Sequence, residues 1–351
     1  MDPLQFEPWL RPQVWGGRRL GIELGKHLPD DRTYGESWEL SSHPQHVSRV
    51  ANGPWRGRSL ADLWSQQQTS LTGKNSDREP FPLLIKFLDC HELLSVQVHP
   101  DDRLAAQLIP GERGKTEAWV ILAAEPDAVI YAGLKPGVTA EQSRRHSERG
   151  SVADCLHRLT PHAGDCLFLP AGTVHAVGKG VLMAEVQQSS DATFRLFDWN
   201  RPGPDGRPRQ LHLDQSLQAI DWQRGPQEMV QPRTIKYPDG IPGERLVDCE
   251  FFRLDRITLP AGTAIRWPLP GTLSIGLVVV GTLELEGPST EPEPHDELAS
   301  RTDHGKPTRP SQTYRSTVHR GQTVLIPATA SPELMLHATG TEAQLLIVQI
   351  P

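Results

Sequence analysis

Two polar side chains with metal-binding chemistry stand two residues apart in the stretch LSVQVHPDD, residues 94–102. Gln97 and His99 alternate there with Val96 and Val98, and this alternation predicts a strand that carries the amide and the imidazole on one face. A proline and two aspartates follow directly, which is typical of a strand end and the turn after it. The sequence therefore predicts that one strand presents both polar side chains to a common site.

A carboxylate and a second histidine have spacings that would place them beside this pair. Glu117 follows Lys115 by two residues in GKTEAWVIL, so a strand there presents both side chains on one face. His175 lies in GDCLFLPAGTVHAV, which has the spacing G-x5-P-x-G-x2-H from Gly164 onward. This spacing resembles the second sequence motif of the cupins, small double-sheet β-barrels that hold a metal ion in the barrel mouth.

Nitrogen and oxygen donors on neighbouring strands would suit a borderline divalent metal ion and leave a position open for water or substrate. The candidate ligands are Gln97, His99, Glu117 and His175. None of them is a thiolate, which disfavours a closed structural zinc site. The alternative interpretation is that Gln97 and His99 form a polar strand end and that Glu117 is a surface charge.

The composition predicts a mainly β fold. The chain has 351 residues, with 32 prolines and 30 glycines, which helices tolerate poorly and which strands joined by turns tolerate well. The G-x5-P spacing occurs twice, at Gly164–Pro170 and Gly321–Pro327, and indicates two related β units. We therefore expect two cupin-like β-barrel (jelly-roll) units with a small helical insertion.

The expected domain boundary lies near residue 233. Residues 1–232 would form an N-terminal catalytic cupin domain that includes a short helical segment over 139–160. Residues 233–351 would form a C-terminal cupin-like β domain, with a flexible polar and proline-rich loop over 287–312. The second unit has no histidine in the ligand position of its motif, so we expect one metal site, in the first unit.

Several classes of function are disfavoured by charge and by segment composition. A net charge of −7 argues against a general nucleic-acid or anionic-membrane binder. No apolar run approaches the roughly 20 residues that a transmembrane helix needs, and the N-terminus has no signal-peptide pattern. Four cysteines without CxxC spacing make a reducing cytoplasm the expected location.

Four motifs taken together resemble type I phosphomannose isomerase (mannose-6-phosphate isomerase), most closely its short bacterial branch. They are WGGRRLG…GESWELS, LLIKFLDCHELLSVQVHPDD, GKTEAW and PAGTVHAVGKGVLMAEVQQSSDATFRLFDWNR, in order within residues 5–201. The resemblance implies one zinc ion per chain on Gln97, His99, Glu117 and His175. It also implies a proton transfer between C2 and C1 of a sugar phosphate through a cis-enediol, as part of carbohydrate metabolism.

The resemblance suggests roles for further residues. Arg195 would be the catalytic arginine, which stabilises the enediolate or clamps the phosphate, and Lys86 and Ser95 match positions near the phosphate. Lys115 is placed to reach the same pocket. The general base stays open: Glu185 is the first candidate, and Lys115 with a lowered pKa and a metal-bound water are the others.

Less specific interpretations compete with these roles. Arg195 could form a surface salt bridge, Lys86 could extend from a strand end to solvent, and Asp191 reads as a turn residue. The protein as a whole could be a metal-dependent cupin acting on another sugar or sugar phosphate, or a non-catalytic sugar-binding cupin. In each case we expect a small-molecule partner and a monomer or small homo-oligomer.

Overall fold

The computed structural model describes residues 1–74, 80–202, 206–291 and 312–351. Most elements are β-strands, which confirms the predicted β-rich fold. The strands before residue 232 are β1 (Leu4–Gln5), β2 (Trp9–Gly17), β3 (Tyr34–Leu40), β4 (Ser42–His43), β5 (His46–Val47), β6 (Leu83–Cys90), β7 (Val96–Val98), β8 (Glu117–Ala124), β9 (Ile130–Leu134), β10 (Leu156–Leu159), β11 (Cys166–Leu169), β12 (His175–Val177), β13 (Val181–Gln188) and β14 (Phe194–Phe197).

Ten further strands follow in the described part of the chain after residue 232. They are β15 (Arg233–Lys236), β16 (Pro242–Asp248), β17 (Arg253–Leu259), β18 (Ala264–Arg266), β19 (Ser274–Val280), β20 (Thr282–Pro288), β21 (Thr313–His319), β22 (Thr323–Ile326), β23 (Met335–Ala338) and β24 (Ala343–Gln349). Short helices connect strands of the first part, and they are α1 (Arg19–Ile22), α2 (Leu60–Gln66), α3 (Gln68–Thr72), α4 (Asp102–Leu108), α5 (Ala140–Arg149) and α6 (Leu213–Ala219).

Helix α5 shows how local sequence sets the bounds of a helix. The Thr139 side chain accepts a hydrogen bond from the backbone N–H of Gln142, whose own side chain accepts one from the N–H of Thr139. Gly150 ends the helix in the left-handed conformation, with φ of 73°. At ten residues α5 is the longest described helix, well below the length of a bilayer span.

Four antiparallel sheets stack as successive layers. Their strand orders are β10-β9-β12-β7-β14, β11-β8-β13-β6-β3-β2, β1-β22-β19-β24-β17-β16-β15 and β18-β23-β20-β21. One hydrophobic cluster joins the five- and six-stranded sheets, a second joins the six- and seven-stranded sheets, and a third joins the seven- and four-stranded sheets. Within the described ranges no sheet closes on itself, so the two cupin-like barrel units stay a prediction.

The central strands β6 and β13 are fully buried and have different chemistry on their two faces. Ile85 and Ala184 belong to the hydrophobic cluster shared with the seven-stranded sheet. Lys86 and Glu185 are direct partners in the β6–β13 ladder, and alternation turns them to the opposite face, toward the five-stranded sheet. The six-stranded sheet therefore buries an apolar face on one side and presents charged groups on the other.

Three parts of the expected domain plan can be compared with the strands. The segment 139–160 is helical over 140–149 and forms a 3-10 helix over 152–155, but residues 156–159 form β10, which pairs with β9 through Leu156 and Leu134. The helical prediction for those four residues is wrong, since pairing to a sheet edge outweighs their local propensity. Residues 4–5 pair with β22 and so join the seven-stranded sheet. The boundary at residue 233 stays a prediction.

The predicted loop over 287–312 is largely outside the described residues. Its first two residues belong to β20, which pairs with β21 on the far side of the segment. Residues 292–311 lie outside the described ranges.

Candidate active site

Strand β7 lies between two strands that carry predicted site residues. In the antiparallel ladders, Gln97 is directly opposite His175 of β12 on one side and opposite Arg195 of β14 on the other. The Gln97 amide nitrogen is 3.2 Å from His175 Nε2. The register of the five-stranded sheet therefore brings together three side chains that lie far apart in the sequence.

Glu117 approaches this group from the facing six-stranded sheet, at the start of β8. Its Oε2 is 3.6 Å from His99 Nε2, and its Oε1 is 3.3 Å from His175 Nε2. All three side chains are buried, and their candidate ligand atoms lie within 4.8 Å of one another. The structure thus contains a possible metal site, and its ligands bridge two packed sheets.

Backbone carbonyls orient both histidines. His99 Nδ1 donates to the carbonyl of Ala192 at 2.8 Å, and His175 Nδ1 donates to the carbonyl of Thr173 at 2.9 Å. Because a carbonyl can only accept, each Nδ1 carries a proton and each Nε2 keeps its lone pair. Burial lowers the pKa of His175 to about 4 and that of His99 well below its usual range, so both rings stay neutral.

The chemistry of these donors fits a divalent cation. Both carboxylate oxygens of Glu117 are buried and lack a hydrogen bond of ordinary geometry, although Lys115 Nζ lies 2.5 Å from Oε2. Neutral imidazoles held through Nδ1 are the usual arrangement of histidine ligands. Gln97 presents its nitrogen to His175, so it would offer its oxygen after a 180° rotation of the amide.

A pair of lysines and a second carboxylate lie next to this cluster. Glu185 Oε1 accepts a hydrogen bond from the Trp119 indole at 2.9 Å, and Lys86 Nζ is 3.3 Å from Oε2. Burial would raise the pKa of Glu185, but Lys115 and Lys86 outweigh it and lower the pKa to about 2. Glu185 is therefore an ionised carboxylate held between two cations.

The lowered pKa considered for Lys115 is wrong. Burial does disfavour its charged form, but the carboxylates of Glu117 and Glu185 have the larger combined effect and raise the pKa above its usual value. Lys115 Nζ also lies 3.1 Å from His99 Nε2. Lys115 is therefore a buried cation in this arrangement rather than a neutral amine.

Lys115 and Glu185 line a cavity of about 360 Å³, whereas His99, Glu117 and His175 are buried beside it and are not part of its wall. The predicted site residues on its wall are Lys86, Ser95, Gln97, Lys115, Glu185 and Arg195. Lys86 is only 4% exposed and faces the cavity, so it does not extend to solvent. Arg195 forms no ion pair with any carboxylate of the described residues, which disagrees with the surface salt-bridge interpretation.

Four charged residues of the wall were not predicted as site residues. They are Arg11, Glu36, Asp191 and Arg209. Glu36 accepts from the Trp38 indole at 2.6 Å and lies 3.7 Å from Lys86 Nζ. The alternation of Glu36 and Trp38 in GESWELS was a usable signal, whereas the position of Arg209 depends on a long connection that has no pattern.

Comparison with known proteins identifies the family to which this chain belongs. The signature of the phosphomannose isomerase type I catalytic domain matches residues 4–129. Mannose-6-phosphate isomerase ManA of Bacillus subtilis is 35% identical over 288 residues, which are 82% of this chain and 87% of that protein. This chain belongs to the type I phosphomannose isomerase family. The mannose-6-phosphate isomerase of Streptococcus mutans is 40% identical over 274 residues, 78% of this chain and 81% of that protein.

The relationship extends to the three-dimensional structure. The crystal structure of mannose 6-phosphate isomerase from Bacillus subtilis matches all of this chain and all of that chain, with a TM-score of 0.83 and 28% sequence identity. A structure from Archaeoglobus fulgidus, described as a putative mannosephosphate isomerase, shares the fold, with a TM-score of 0.71 at 18% identity. Phosphomannose isomerases are aldose–ketose isomerases, and membership of the family places this chain in that enzyme class.

Proposed function

We propose that the protein is a zinc-dependent isomerase that interconverts mannose 6-phosphate and fructose 6-phosphate through a cis-enediol. The observation that carries the proposal is the junction of two groups of residues at one cavity. A buried cluster of two neutral histidines and a carboxylate adjoins Glu185 and Lys115, an ionised acid and a cation. A sugar phosphate as the small-molecule partner and a cytoplasmic location are parts of the same proposal.

Four residues would hold the zinc ion, namely Gln97, His99, Glu117 and His175. When bound, zinc supplies Lewis-acid polarisation of the sugar oxygens. The residues around it have separate tasks. The Ala192 and Thr173 carbonyls fix the two imidazoles, and the packing of the two sheets excludes bulk water from Glu117, which is fully buried.

Glu185 is proposed as the general base. It takes the proton from C2 of the open-chain aldose, the C2–H electrons form the C1=C2 double bond, and the π electrons of the C1 carbonyl move to O1. The proton of the C2 hydroxyl then passes to O1, the C2 carbonyl forms, and Glu185 returns its proton to C1 on the same face. A base must be ionised before it accepts a proton, and the low pKa of Glu185 ensures this across the neutral range. The same low pKa weakens it as a base, so the cations beside the enediolate have to supply driving force.

Lys115 and Arg195 are proposed to supply that positive charge. Lys115 is buried 4.0 Å from Glu185 Oε1, and a cation in a water-excluded site interacts strongly with charge that develops beside it. Arg195 lines the same cavity and, with Ser95, is proposed to contact the phosphate. Lys86 lies between Glu36 and Glu185, which supports a role in holding Glu185 more than a phosphate contact.

A coupled assay of mannose 6-phosphate conversion tests the proposal. It is run on the protein as purified, after chelation and after zinc is added back, together with metal analysis. We expect activity to disappear on chelation and to return with zinc. Glu185→Gln should lower kcat by about 10² to 10⁴-fold, the usual contribution of a general base. Glu244→Gln, which alters a carboxylate paired with Arg256 away from the cavity, is the control.

One outcome would reject the isomerase. A folded protein that binds one metal ion per chain but turns over no mannose 6-phosphate would favour the cupin alternatives that act on another sugar or only bind one.

A further inference from the structure

Most cations of the cavity already have carboxylate neighbours. Lys86 lies between Glu36, at 3.7 Å, and Glu185, at 3.3 Å. Lys115 lies 2.5 Å from Glu117 and 4.0 Å from Glu185. A dianionic group at this end of the cavity would therefore meet the repulsion of Glu36 and Glu185 as well as the attraction of the lysines. A region whose cations outnumber its carboxylates is better suited to a phosphate.

Arg11 belongs to the same compensated group. Its Nη1 is 3.2 Å from Glu36 and 3.7 Å from Asp191. Its guanidinium also stacks over Trp38, 4.8 Å from the ring centroid. Arg11 is thus fixed by two acids and a ring.

The charge balance is different around Asp198. This carboxylate accepts hydrogen bonds from Arg209, at 2.7 Å and 2.5 Å, and from Arg201, at 2.9 Å. Arg195 interacts electrostatically with Arg209, Arg201 and Asp198. Among the described residues, its guanidinium donates one hydrogen bond, to the carbonyl of Gln210 at 2.9 Å. Two guanidinium groups therefore pair with one carboxylate and a third, that of Arg195, lies near it without pairing, so these four residues together have a net positive charge.

Only two of these three arginines line the cavity. They are Arg195 and Arg209. Arg201 is directed elsewhere, and its guanidinium donates to the backbone carbonyl of Leu93. In this region, the positive charge that faces the cavity thus comes from Arg195 on β14 and from Arg209 on the connection that follows β14.

We infer that Arg209 acts with Arg195 as a second anion ligand, which binds the phosphate of the substrate and makes the site selective for sugar phosphates. The inference rests on the proposed isomerase function and names a residue that determines its specificity. Arg209 uses Nε and Nη2 to hold Asp198, and in the described part of the chain Nη1 has no hydrogen-bond partner, so it keeps its donors for a ligand. The buried Nε of Arg195 is likewise without a hydrogen-bond partner among the described residues.

The contact with Asp198 has a second consequence. It holds the Arg209 guanidinium in a fixed plane, so less rotamer entropy is lost when an anion binds. A planar guanidinium with fixed direction matches the tetrahedral face of a phosphate better than a mobile lysine does. Asp198 is thus a positioning residue for Arg209 and does not itself contact the substrate.

The test compares Arg209→Gln with Arg201→Gln in the zinc-loaded full-length protein. Both variants remove one guanidinium from Asp198, but only Arg209 lines the cavity. Arg209→Gln should raise KM for mannose 6-phosphate by about tenfold or more, the equivalent of one charge-assisted hydrogen bond, with kcat little changed. The inhibition constant for free mannose, which has no phosphate, should stay the same.

A binding measurement supplies a readout that does not depend on turnover. Calorimetric titration with inorganic phosphate should show a dissociation constant raised by a similar factor in Arg209→Gln and unchanged in Arg201→Gln. If the glutamine variant does not fold, Arg209→Lys replaces it, and we expect a smaller rise in both constants because the charge is kept and the fork is lost.

The results separate this inference from the function on which it rests. If the wild-type protein turns over no mannose 6-phosphate, the isomerase proposal fails, and the phosphate titration still decides the role of Arg209. Equal phosphate affinity in wild type and Arg209→Gln would overturn the inference. A loss of kcat with unchanged KM and unchanged phosphate affinity would also overturn it, since it would mean that Arg209 supports only the fold around the reacting atoms.

Discussion

The indole N–H of Trp119 donates a hydrogen bond of 2.9 Å to the carboxylate of Glu185. The two residues are direct partners in the β8–β13 ladder, and both side chains are buried. The same indole packs against His175 in an edge-to-face arrangement, with ring centroids 5.3 Å apart. One side chain therefore contacts both the proposed base and a candidate metal ligand.

Replacement of Trp119 by Phe tests this contact. The ring and most of the packing are kept, and the hydrogen bond to the ionised carboxylate is lost. Because the carboxylate loses its fixed direction toward the substrate while its basicity rises, kcat should fall by roughly 10-fold, less than the loss expected for Glu185→Gln. A coupled assay over a range of substrate concentrations separates kcat from KM. A larger change in KM than in kcat would contradict a role in orienting the base.

The same variant should shift the pH dependence in a defined direction. A hydrogen bond to the ionised form lowers the pKa of Glu185, so its removal raises that pKa. The base then becomes protonated at a higher pH, and the acidic limb of the kcat/KM profile moves upward. Trp64→Phe, which alters a buried indole outside the cavity, should leave the acidic limb unchanged.

A turn between β13 and β14 orients His99 through a backbone carbonyl, and the side chain of Glu112 is hydrogen-bonded to that turn. Glu112 Oε2 accepts hydrogen bonds from the Ser190 hydroxyl at 3.0 Å and from the backbone N–H of Asp191 at 3.2 Å. The next residue, Ala192, offers its carbonyl to His99. Glu112 does not line the cavity, so its effect on the site passes through the turn.

Glu112→Ala should therefore weaken metal binding without removing a ligand. Loss of a group that orients a ligand typically costs about 10–100-fold in metal affinity, and activity should recover at saturating zinc. Competition with a chelator of known affinity measures the change. Asp165→Ala, which removes a turn hydrogen bond to the N–H of His162, is the control and should bind zinc as the wild type does. Activity that stays low at saturating zinc would point to a direct effect on catalysis.

The sequence predicts the grouping of His99, Glu117 and His175 better than it predicts the rest of the cavity. Gln97 and His99, or Lys115 and Glu117, share a face because strands alternate with period two, and that rule is local. Glu36 reaches the same cavity through the pairing of β3 with β6, and Arg209 reaches it through a long connection outside the strands. Neither the pairing nor the path of the connection can be read from composition. The raised pKa of Lys115 has a local and a distant cause, namely Glu117, two residues away, and Glu185, 70 residues further along the chain, and only the first could be read from the sequence.

The fold shows the same division between local and distant information. Proline and glycine content and strand alternation predict a β-rich chain correctly. The pairing of residues 4–5 with β22 joins segments more than 300 residues apart, and a two-residue strand has no pattern of its own. Residues 156–159 follow a helix and a turn, and only the exposed edge of β9 makes them a strand.

Zinc should stabilise the folded protein as well as activate it. A ligand that binds only the native state stabilises it by about 4 kcal/mol at a thousandfold excess over Kd. We expect the thermal midpoint to fall on chelation and to rise again with zinc, and Glu117→Gln should lose this response. His157→Asn, which changes a histidine outside the cluster that pairs with Glu228, should keep it. An equal zinc response in Glu117→Gln and wild type would reject the proposed ligand set.

A buried ion pair away from the cavity gives a prediction about stability alone. Lys26 Nζ lies 2.7 Å from both carboxylate oxygens of Glu39, and the two side chains are 5% and 4% exposed. The Ser37 hydroxyl also donates to Glu39, and Lys26 lies over the ring of Phe87. Removing one partner leaves an uncompensated buried charge, so Lys26→Met should lower the free energy of unfolding by about 3–5 kcal/mol.

The double variant Lys26→Met, Glu39→Leu should recover most of this loss, because two apolar side chains of similar volume carry no desolvation cost. Ser37 then lacks its acceptor, which keeps the recovery incomplete. Urea denaturation of wild type, single and double variants measures the three free energies. Lys179→Met, which breaks the exposed pair with Asp127, is the matched control and should change stability little. A loss in Lys26→Met no larger than in this control would show that the buried pair contributes no more than a surface one.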